Sequence, residues 1–373
     1  MTTQPIRCGV IGFGLAGRIF HAAVIDATQG IELAGIVERK GDAAQKAYPH
    51  VPIYRSLDAM LDQAKLDVVV VATPNDTHVP LAEQCLRAGK HVVIDKPVAV
   101  SSTEAASLFP VCRETGRRVF VYHNRRWDGD FLTVQQLLEQ NARGDGKLGA
   151  VRTFESHFDR FRPTPKTGAW REAVGHGNGI LLDLGSHLGD QALVLFGLPT
   201  AVWGDVRSER DGSSVDDAFD LRLYYPQLTV WLRSTSLSPM PAIRFLVEGT
   251  RGSYRKDSLD PQEDALRAGD LFKTRPWGMD PEDKWGAITT LDASGTTEHT
   301  KVPTLAGDYR HFYANVRDTL RGQAKQAVTL VDAWRVLRLL EWALESSQKR
   351  AAVSCDWSTA PELNSASCAG MNS

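Results

Sequence analysis

One acidic and one basic side chain near the middle of the chain could move protons. Asp183 and His187 are four residues apart, so a helix would place both on one face. Histidine titrates near neutral pH and suits general acid–base catalysis, while the aspartate could orient it or contact a substrate. The structural alternative is a helix N-cap at Asp183 and a buried, hydrogen-bonded histidine. The pair could also ligate a metal, but no third ligand is evident, and we predict no metal site.

A lysine near position 100 is a second candidate. Lys96 lies in Asp95-Lys96-Pro97, directly after an apolar segment that is typical of a strand. Ligands of doubly wound sheets bind at the carboxyl edge of the strands, which is where Lys96 would lie. Its ammonium group could hydrogen-bond a substrate hydroxyl and assist loss of the hydroxyl proton. A surface lysine before a loop proline is the alternative.

A glycine loop near the N-terminus predicts a nucleotide site. The sequence Gly12-Phe13-Gly14-Leu15-Ala16-Gly17 follows an apolar strand pattern at 6–12 and opens a predicted helix at 16–27. In that context Gly12 makes the tight turn, Gly14 lets the backbone approach a pyrophosphate, and Gly17 allows close helix–strand packing. The free N–H groups of the helix N-terminus would bind the phosphates. A glycine-rich turn without a ligand is the alternative.

The charges after the second predicted strand leave the cofactor open between NAD and NADP. Glu38 is 21 residues after Gly17, where an acid accepts hydrogen bonds from the adenosine ribose of NAD. Arg39 and Lys40 follow at once, and two cations there could hold the 2′-phosphate of NADP. A solvated charged turn explains all three residues equally well.

A polar segment closes the fourth predicted strand at the same sheet edge. It contains Thr73, Pro74, Asn75 and His78. These residues could line the nicotinamide ribose or cap the helix that follows.

The order of elements predicts two domains. Up to about residue 124, short apolar strands alternate with helices, at 6–12, 31–38, 53–54, 66–73, 91–95 and 118–122, which favours a parallel Rossmann sheet. Later strands alternate polar and apolar residues, which favours an antiparallel or mixed sheet. They are predicted at 151–158, 201–206, 218–225, 229–236 and 243–249. Helices are predicted at 181–195, 308–321 and 329–347. The fold class is α/β: a Rossmann domain at 1–124, then an α+β domain at 125–353 with an open, mostly antiparallel sheet. The small, polar segment 354–373 is predicted to be disordered.

Composition limits the partners. The formal net charge of −2 gives no basic excess for nucleic acid, and no apolar run approaches the roughly 20 residues of a membrane span. The N-terminal residues show no apolar signal segment, so we expect a cytoplasmic protein that binds neither nucleic acid nor membrane.

These motifs together resemble the glucose–fructose oxidoreductase, inositol dehydrogenase and MocA family. The glycine loop, Thr73-Pro74-Asn75 with His78, the stretch 88–92 before Asp95-Lys96-Pro97, and the Asp183/His187 pair carry the resemblance; the usual family tripeptide is Glu-Lys-Pro. The resemblance implies an NAD(P)-dependent dehydrogenase acting on a sugar or polyol hydroxyl. It implies Lys96, Asp183 and His187 as the catalytic trio, with His187 as the proton acceptor and Lys96 also near the cofactor.

A closer resemblance is to bacterial NADP-dependent scyllo-inositol dehydrogenases. The stretches 123–128, 155–163, 183–187, 252–254 and 260–263 carry it. It implies an inositol-like substrate, a homo-oligomer (dimer or tetramer) paired through the open sheet, and five candidate substrate residues: Arg125, Arg160, Arg162, Trp170 and Arg171. Unpaired arginines are costly to bury and often mark polar ligands, but domain-interface salt bridges are the alternative.

Two other functions occur on this fold. One is a cofactor-binding regulator without chemistry, for which Lys96, Asp183 and His187 would be unnecessary. The other is a glycosidase that uses bound NAD in a transient redox cycle, which would release an aglycone without net reduction of the cofactor.

Overall fold

The computed structural model describes residues 4–166, 168, 175, 177–240, 243–273 and 276–361. These residues form two sheets with helices packed against them. None of the helices in the described ranges is both long enough and apolar enough to cross a membrane.

The first sheet is parallel and confirms the predicted Rossmann domain. Its strand order is β3-β2-β1-β4-β5-β6, so the order reverses between β1 and β4 and opens a crevice at their carboxyl ends. The all-valine strand β4 is completely buried, as expected for a strand covered on both faces. The strands are β1 (Ile6–Ile11), β2 (Ile31–Val37), β3 (Ile53–Tyr54), β4 (Val68–Val71), β5 (His91–Ile94) and β6 (Val119–Val121).

Short helices connect these strands. Ser56 and Ser101 cap two of them, accepting hydrogen bonds from the main-chain N–H groups of Ala59 and Glu104. The helix predicted at 16–27 begins as a π-helix, Ala16–Ala22, and continues as α1. The α-helices are α1 (Ala23–Asp26), α2 (Ala43–Ala47), α3 (Leu57–Gln63), α4 (His78–Arg87), α5 (Ser102–Ala106) and α6 (Leu108–Thr115).

The second sheet is mixed and mostly antiparallel, in the order β14-β13-β12-β11-β7-β10-β9-β8-β15. The pair β7–β10 is parallel. The strands are β7 (Val151–His157), β8 (Ala201–Arg207), β9 (Ala218–Tyr224), β10 (Thr229–Thr235), β11 (Phe245–Gly249), β12 (Gly252–Lys256), β13 (Gly286–Leu291), β14 (Thr297–Val302) and β15 (Val353–Ser354).

The helices after residue 124 pack against both domains. They are α7 (Gly129–Ala142), α8 (Ile180–Asp183), α9 (Gly185–Phe196), α10 (Gln262–Arg267), α11 (Arg310–Leu320) and α12 (Leu330–Lys349). Helices α9 and α12 cover one face of the second sheet. Helix α11 and the first half of α12 return to the first domain, where Phe312, Tyr313 and Trp334 join its core. The first domain is therefore completed by residues near the end of the chain.

Several elements were not predicted from the sequence. Helix α7 and strands β12, β13 and β14 lie in segments without an assigned element. Five of the six residues of β14 are exposed, so neither face is apolar and no alternation marks it. The helix predicted at 181–195 is two helices, α8 and α9.

The predicted disorder of 354–373 is wrong for residues 354–361. Val353 and Ser354 pair with β8 as strand β15. The ring of Trp357 then packs edge-on against Trp342 of α12, 4.8 Å between centroids, and its indole N–H donates to the Pro199 carbonyl. The contact between the two tryptophan rings stabilises a segment that its polar composition had predicted to be disordered.

Candidate active site

A cleft of about 1110 Å³ lies at the carboxyl edge of the parallel sheet and is lined by the glycine loop. Gly12 has φ of 91°, and a Cβ there would lie 2.5 Å from the Ala72 carbonyl oxygen. A Cβ on Gly17 would lie 1.9 Å from the Gly12 oxygen, whereas a Cβ on Gly14 would meet nothing and project from the loop into open space. Gly12 and Gly17 therefore serve backbone packing, and Gly14 keeps the loop open to a ligand. This cradle fits the pyrophosphate of a dinucleotide.

The carboxylate of Glu38 is already engaged at the far end of this cleft. Its Oε1 accepts from the main-chain N–H of Ala43 at 3.2 Å and its Oε2 from that of Ala44 at 3.1 Å. Glu38 thus caps the first turn of α2 and is only 9% exposed. Arg39 and Lys40 are exposed and line the cleft.

The segment after β4 closes the other side of the cleft. Thr73, Pro74 and Asn75 line it, and the Asn75 side chain also donates to the Gly177 carbonyl at 2.6 Å. His78 instead is buried, with its ring nitrogens 2.8 Å from the Pro97 oxygen and 2.9 Å from the Thr73 oxygen. The ring joins the loop after β4 to the loop after β5. The structure therefore gives His78 a role in holding two loops, and not a place in the cleft lining.

Lys96 and Asp183 meet across the domain boundary. The Lys96 ammonium is 2.5 Å from Asp183 Oδ1 and also donates to the Asp183 main-chain oxygen at 2.8 Å. The lysine side chain is 13% exposed and the aspartate 27%, so the pair is open to a small ligand. The surface-lysine alternative is wrong for Lys96.

Asp183 owes its position to the break between α8 and α9. Gly179, with φ of 97°, leads into α8, and Asp216 binds the start of that helix through Leu181 N at 2.7 Å. A Cβ on Gly179 would lie 2.1 Å from Asp216 Oδ1, so only glycine fits this approach. Helix α8 ends at Asp183, and α9 starts again at Gly185. The break turns the Asp183 carbonyl and carboxylate to Lys96 together.

His187 lies in the first turn of α9 and is 5% exposed. Burial lowers its pKa well below the ordinary value, and the positive charges of Lys96, Arg125 and Arg160 lower it further. Its Nδ1 is buried and has no hydrogen-bond partner among the described residues. A neutral, unpartnered imidazole beside a lysine can accept a proton from a bound hydroxyl.

The predicted substrate arginines have different surroundings. Arg125 is buried and forms ion pairs with Asp128 and Glu263; burial opposes its charge, but these acids raise its pKa. Both salt bridges of Arg125 lie within the second domain, so they are not the domain-interface pairs of the structural alternative. Arg162 is exposed. Trp170 and Arg171 lie outside the described residues.

Arg160 remains available to a ligand. Its guanidinium lies 3.8 Å from Asp183 Oδ2 and 4.9 Å from the centre of the Phe158 ring, and it has no shorter polar contact within the described ranges. Burial and the neighbouring Arg162 lower its pKa, against the effect of Asp183. Arg160 therefore brings an incompletely paired positive charge to the carboxylate that binds Lys96.

Sequence reasoning missed His123 as a site residue. It follows β6, at the same carboxyl edge as Lys96, and is buried with an unpartnered Nδ1. Burial lowers its pKa, and a positive charge on His123 would disfavour one on His187. The position of His123 after a predicted parallel strand was the signal that could have found it. Within the described ranges, no group of three or more His, Cys, Asp or Glu residues is arranged to hold a metal ion.

The lowered pKa of His187 predicts how folding stability depends on pH. The unfolded histidine titrates near 6.5, well above the folded one, so the unfolded state binds the proton first and the free energy of unfolding falls below about pH 6.5. His187→Gln removes this contribution. In urea denaturation, lowering the pH from about 7 to about 5 should therefore reduce the free energy of unfolding of the wild type by more than that of H187Q. The exposed His50, changed to Gln, is the matched control, and a difference independent of pH would contradict the prediction.

Comparison with known proteins places this geometry in a family. The model of the Gfo/Idh/MocA "Oxidoreductase family, NAD-binding Rossmann fold" matches residues 6–123, and that of the family's "C-terminal alpha/beta domain" matches residues 144–355. The chain is 42% identical over 351 residues to the oxidoreductase YdgJ of Escherichia coli K12, covering 94% of this chain and 99% of that one.

Two further relatives cover the same length. The chain is 33% identical to the scyllo-inositol 2-dehydrogenase (NADP(+)) IolW of Bacillus subtilis strain 168, covering 94% of this chain and 96% of IolW. The solved structure of the oxidoreductase YPO2259 from Yersinia pestis superposes with a TM-score of 0.88 at 39% identity, covering 95% of this chain and 98% of that one. Both domains and the whole described fold are thus accounted for, and the chain belongs to the Gfo/Idh/MocA family of oxidoreductases.

Proposed function

We propose that the protein is a dehydrogenase of the 1.1.1 type, which transfers a hydride between a nicotinamide cofactor and a secondary hydroxyl of a cyclic polyol or sugar, inositol-like in shape. The observation that carries the proposal is the Lys96–Asp183 ion pair beside the neutral His187, in a small pocket that shares Asn75 with the lining of the dinucleotide cleft. A regulator that only binds a cofactor needs none of these three side chains. The name of the IolW relative supports a polyol substrate.

The residues of the site divide the work between cofactor and substrate. Gly12, Gly14 and Gly17 would hold the pyrophosphate, and the segment Thr73–Asn75 would line the nicotinamide side of the cleft. The cofactor, when bound, accepts the hydride from the carbinol carbon. The protein must then remove the hydroxyl proton and stabilise the negative charge that develops on oxygen.

Lys96 and His187 suit those two tasks. The Lys96 ammonium has three N–H donors, and its two contacts with Asp183 leave one for the substrate oxygen. Asp183 holds the ammonium in place, and its second carboxylate oxygen faces Arg160. His187, which burial keeps neutral, accepts the hydroxyl proton as the hydride leaves. One proton and one hydride are thus removed, and the alcohol becomes a ketone.

Replacing the lysine tests this mechanism. Lys96→Met keeps the length of the side chain but removes the donor, so kcat should fall by about 10²–10⁴-fold while the cofactor still binds. The assay follows the absorbance of the reduced nicotinamide with a panel of inositols and aldoses, and Lys147→Met, an exposed site, is the matched control. A fully active K96M enzyme would refute the role of Lys96. A wild-type enzyme that binds cofactor but oxidises no member of the panel would refute the proposed function.

We propose NADP as the preferred cofactor. Both carboxylate oxygens of Glu38 already accept hydrogen bonds from α2, which leaves less capacity for a ribose hydroxyl. Arg39 and Lys40 line the cleft, and neither has an ion-pair or side-chain hydrogen-bond partner within the described part of the chain. Charge-assisted bonds to a 2′-phosphate would use both cations. The NADP(+) in the name of the IolW relative agrees with this preference.

Binding of the two cofactors decides this proposal without any substrate. The Kd for NADP should be lower than that for NAD, and Arg39→Ala should weaken NADP binding by about tenfold or more, because a hydrogen bond to a charged group contributes roughly 1.5–3 kcal/mol. NAD binding should stay within about twofold, since NAD offers no phosphate there. Arg143→Ala, on an exposed arginine of the other domain, is the control. Tighter binding of NAD by the wild type would overturn the assignment.

We also propose a homo-oligomer paired through the open face of the second sheet. Trp203, Arg222 and Trp231 form one cross-strand row on this face, opposite the face that α9 and α12 cover, and the Arg222 guanidinium lies 4.6 Å from the centre of the Trp231 ring. The face presents four cations and four carboxylates, so it can pair with the same face of a second copy. The cations are Arg207, Arg222, Arg233 and Arg255, and the carboxylates are Asp205, Glu155, Asp220 and Glu248.

Light scattering tests the proposed oligomer. The wild type should have a mass of at least two chains, and Trp231→Glu should dissociate it, because the change places a charge in the centre of the row. Thr297→Glu, on the exposed strand β14, is the control. A monomeric wild type would refute the interface.

A further inference from the structure

A buried histidine outside the proposed catalytic trio connects both halves of the chain to the lysine loop. His21 lies in the π-helix after the glycine loop and is fully buried. Its Nδ1 is 2.7 Å from the Tyr313 hydroxyl on α11, and its Nε2 faces Asp95 Oδ1 at 3.7 Å. Asp95 immediately precedes Lys96 and lines the dinucleotide cleft. The ring therefore lies between helix α11 and Asp95, the residue that precedes the proposed catalytic lysine.

The partners of the ring decide which nitrogen carries the proton. Tyr313 is fully buried, and within the described residues its hydroxyl has no acceptor other than His21 Nδ1. A buried hydroxyl whose proton has one available acceptor donates to it, so Nδ1 is the acceptor and the ring hydrogen lies on Nε2. The Nε2–H bond then points to the side of Asp95. At 3.7 Å this contact is an electrostatic attraction and not a full hydrogen bond.

Asp95 has one carboxylate oxygen fixed by the main chain. Its Oδ1 accepts from the main-chain N–H of Lys96 at 2.9 Å. Burial raises the pKa of Asp95, but His21, Lys96 and His78 outweigh burial, and the pKa lies below its ordinary value. The same oxygen is thus held by the lysine's own backbone on one side and approached by His21 on the other. An ionised carboxylate in this place orients the main chain of Lys96.

Packing prevents the His21 ring from leaving this position. The Tyr122 ring lies against it with centroids 4.3 Å apart, and Tyr122 in turn contacts the rings of Phe312 and Tyr313. The Tyr122 hydroxyl is buried without a partner among the described residues, so it does not compete for His21. The ring orientation is set by aromatic packing and the tautomer by Tyr313.

We propose that His21 is a positioning residue for the lysine loop. Tyr313 fixes its Nε2–H tautomer, and that N–H, which has no hydrogen-bond partner of its own among the described residues, attracts the Asp95 carboxylate from 3.7 Å. The carboxylate in turn binds the main-chain N–H of Lys96. Through this chain of contacts, helix α11 of the second half of the sequence controls the geometry of a loop in the first domain. The kinetic consequence rests on the proposed dehydrogenase function, whereas the tautomer does not.

The tautomer is tested on the protein without substrate. In ¹⁵N-histidine-labelled protein, the side-chain nitrogens of His21, assigned by their loss in His21→Gln, should show a protonated Nε2 and an unprotonated Nδ1. Tyr313→Phe removes the donor and should yield a mixture of tautomers. A wild-type ring protonated at Nδ1, alone or together with Nε2, would overturn the proposal whatever the activity.

The positioning role is tested by two amide replacements. Glutamine places its amide near the position of Nε2 and asparagine near that of Nδ1, so His21→Gln can still donate to Asp95 and His21→Asn cannot. We expect H21N to lose about tenfold or more in kcat with the KM for cofactor within about twofold, as when a residue behind a functional ligand is removed, and H21Q to keep most of the activity. Tyr313→Phe should lose kcat as H21N does.

Two controls separate positioning from folding. Tyr254→Phe removes a buried hydroxyl in the core of the second domain that, unlike the Tyr313 hydroxyl, has no hydrogen-bond partner among the described residues, and it should leave kcat unchanged. Melting temperatures show whether each variant is folded at the assay temperature. Equal losses in H21Q and H21N, with both folded, would refute the positioning role. Absence of turnover in the wild type would refute the proposed function alone, and the tautomer measurement would still decide the role of His21.

Discussion

The site depends on the ion pair between Lys96 and Asp183, because these residues come from different domains. Lys96 follows a strand of the parallel sheet, and Asp183 ends helix α8 of the second domain. Breaking a largely buried pair costs several kcal/mol when one charge is left alone, so the pair constrains how the domains meet. A second buried pair lies within the second domain, two residues after the domain boundary: Arg126 donates to both oxygens of Asp190 on α9 at 2.8 and 2.6 Å. Because α11 and α12 complete the core of the first domain, the domains share a hydrophobic core as well as these charges.

The electrostatics of the site follow from that contact. Lys96 of the first domain joins Arg125 and Arg160 of the second near one histidine, and the pKa of His187 falls because burial disfavours its charge and these cations repel it. Arg125 is neutralised by Asp128 and Glu263, whereas the one polar contact of the Arg160 guanidinium within the described residues is the longer contact with Asp183. The same positive field that keeps His187 a base favours negative charge on a substrate oxygen. A base and an anion-stabilising group thus arise from one arrangement.

Much of the first domain could be predicted because its signals are local. The all-valine strand, the serine caps and the glycine loop each determine their element within a few residues, and the structure has all three. In the second domain, local sequence patterns do not predict the elements that contacts with distant residues stabilise. Strand β14 is held at the sheet edge by its pairing with β13, although its own side chains are exposed. The segment around Trp357 is ordered by a contact with α12, and the start of α8, which ends at Asp183, is bound by Asp216 from farther along the chain. No local pattern contains these partners.

The sequence by itself determined the chemistry available: a glycine loop for a dinucleotide, a lysine after a strand, and an aspartate and a histidine four residues apart. Only the tertiary structure decided how each side chain is used. Glu38 could be a ribose acceptor or a helix cap, and the amides of Ala43 and Ala44 occupy its oxygens. Arg125 could bind a substrate or a carboxylate, and it is paired. The physical reason is that hydrogen bonding and charge pairing act over a few ångströms in space, between residues that can be far apart in the chain, by 292 positions for His21 and Tyr313. The residue types determine which hydrogen bonds and ion pairs are possible, and the folded structure determines which residues form them.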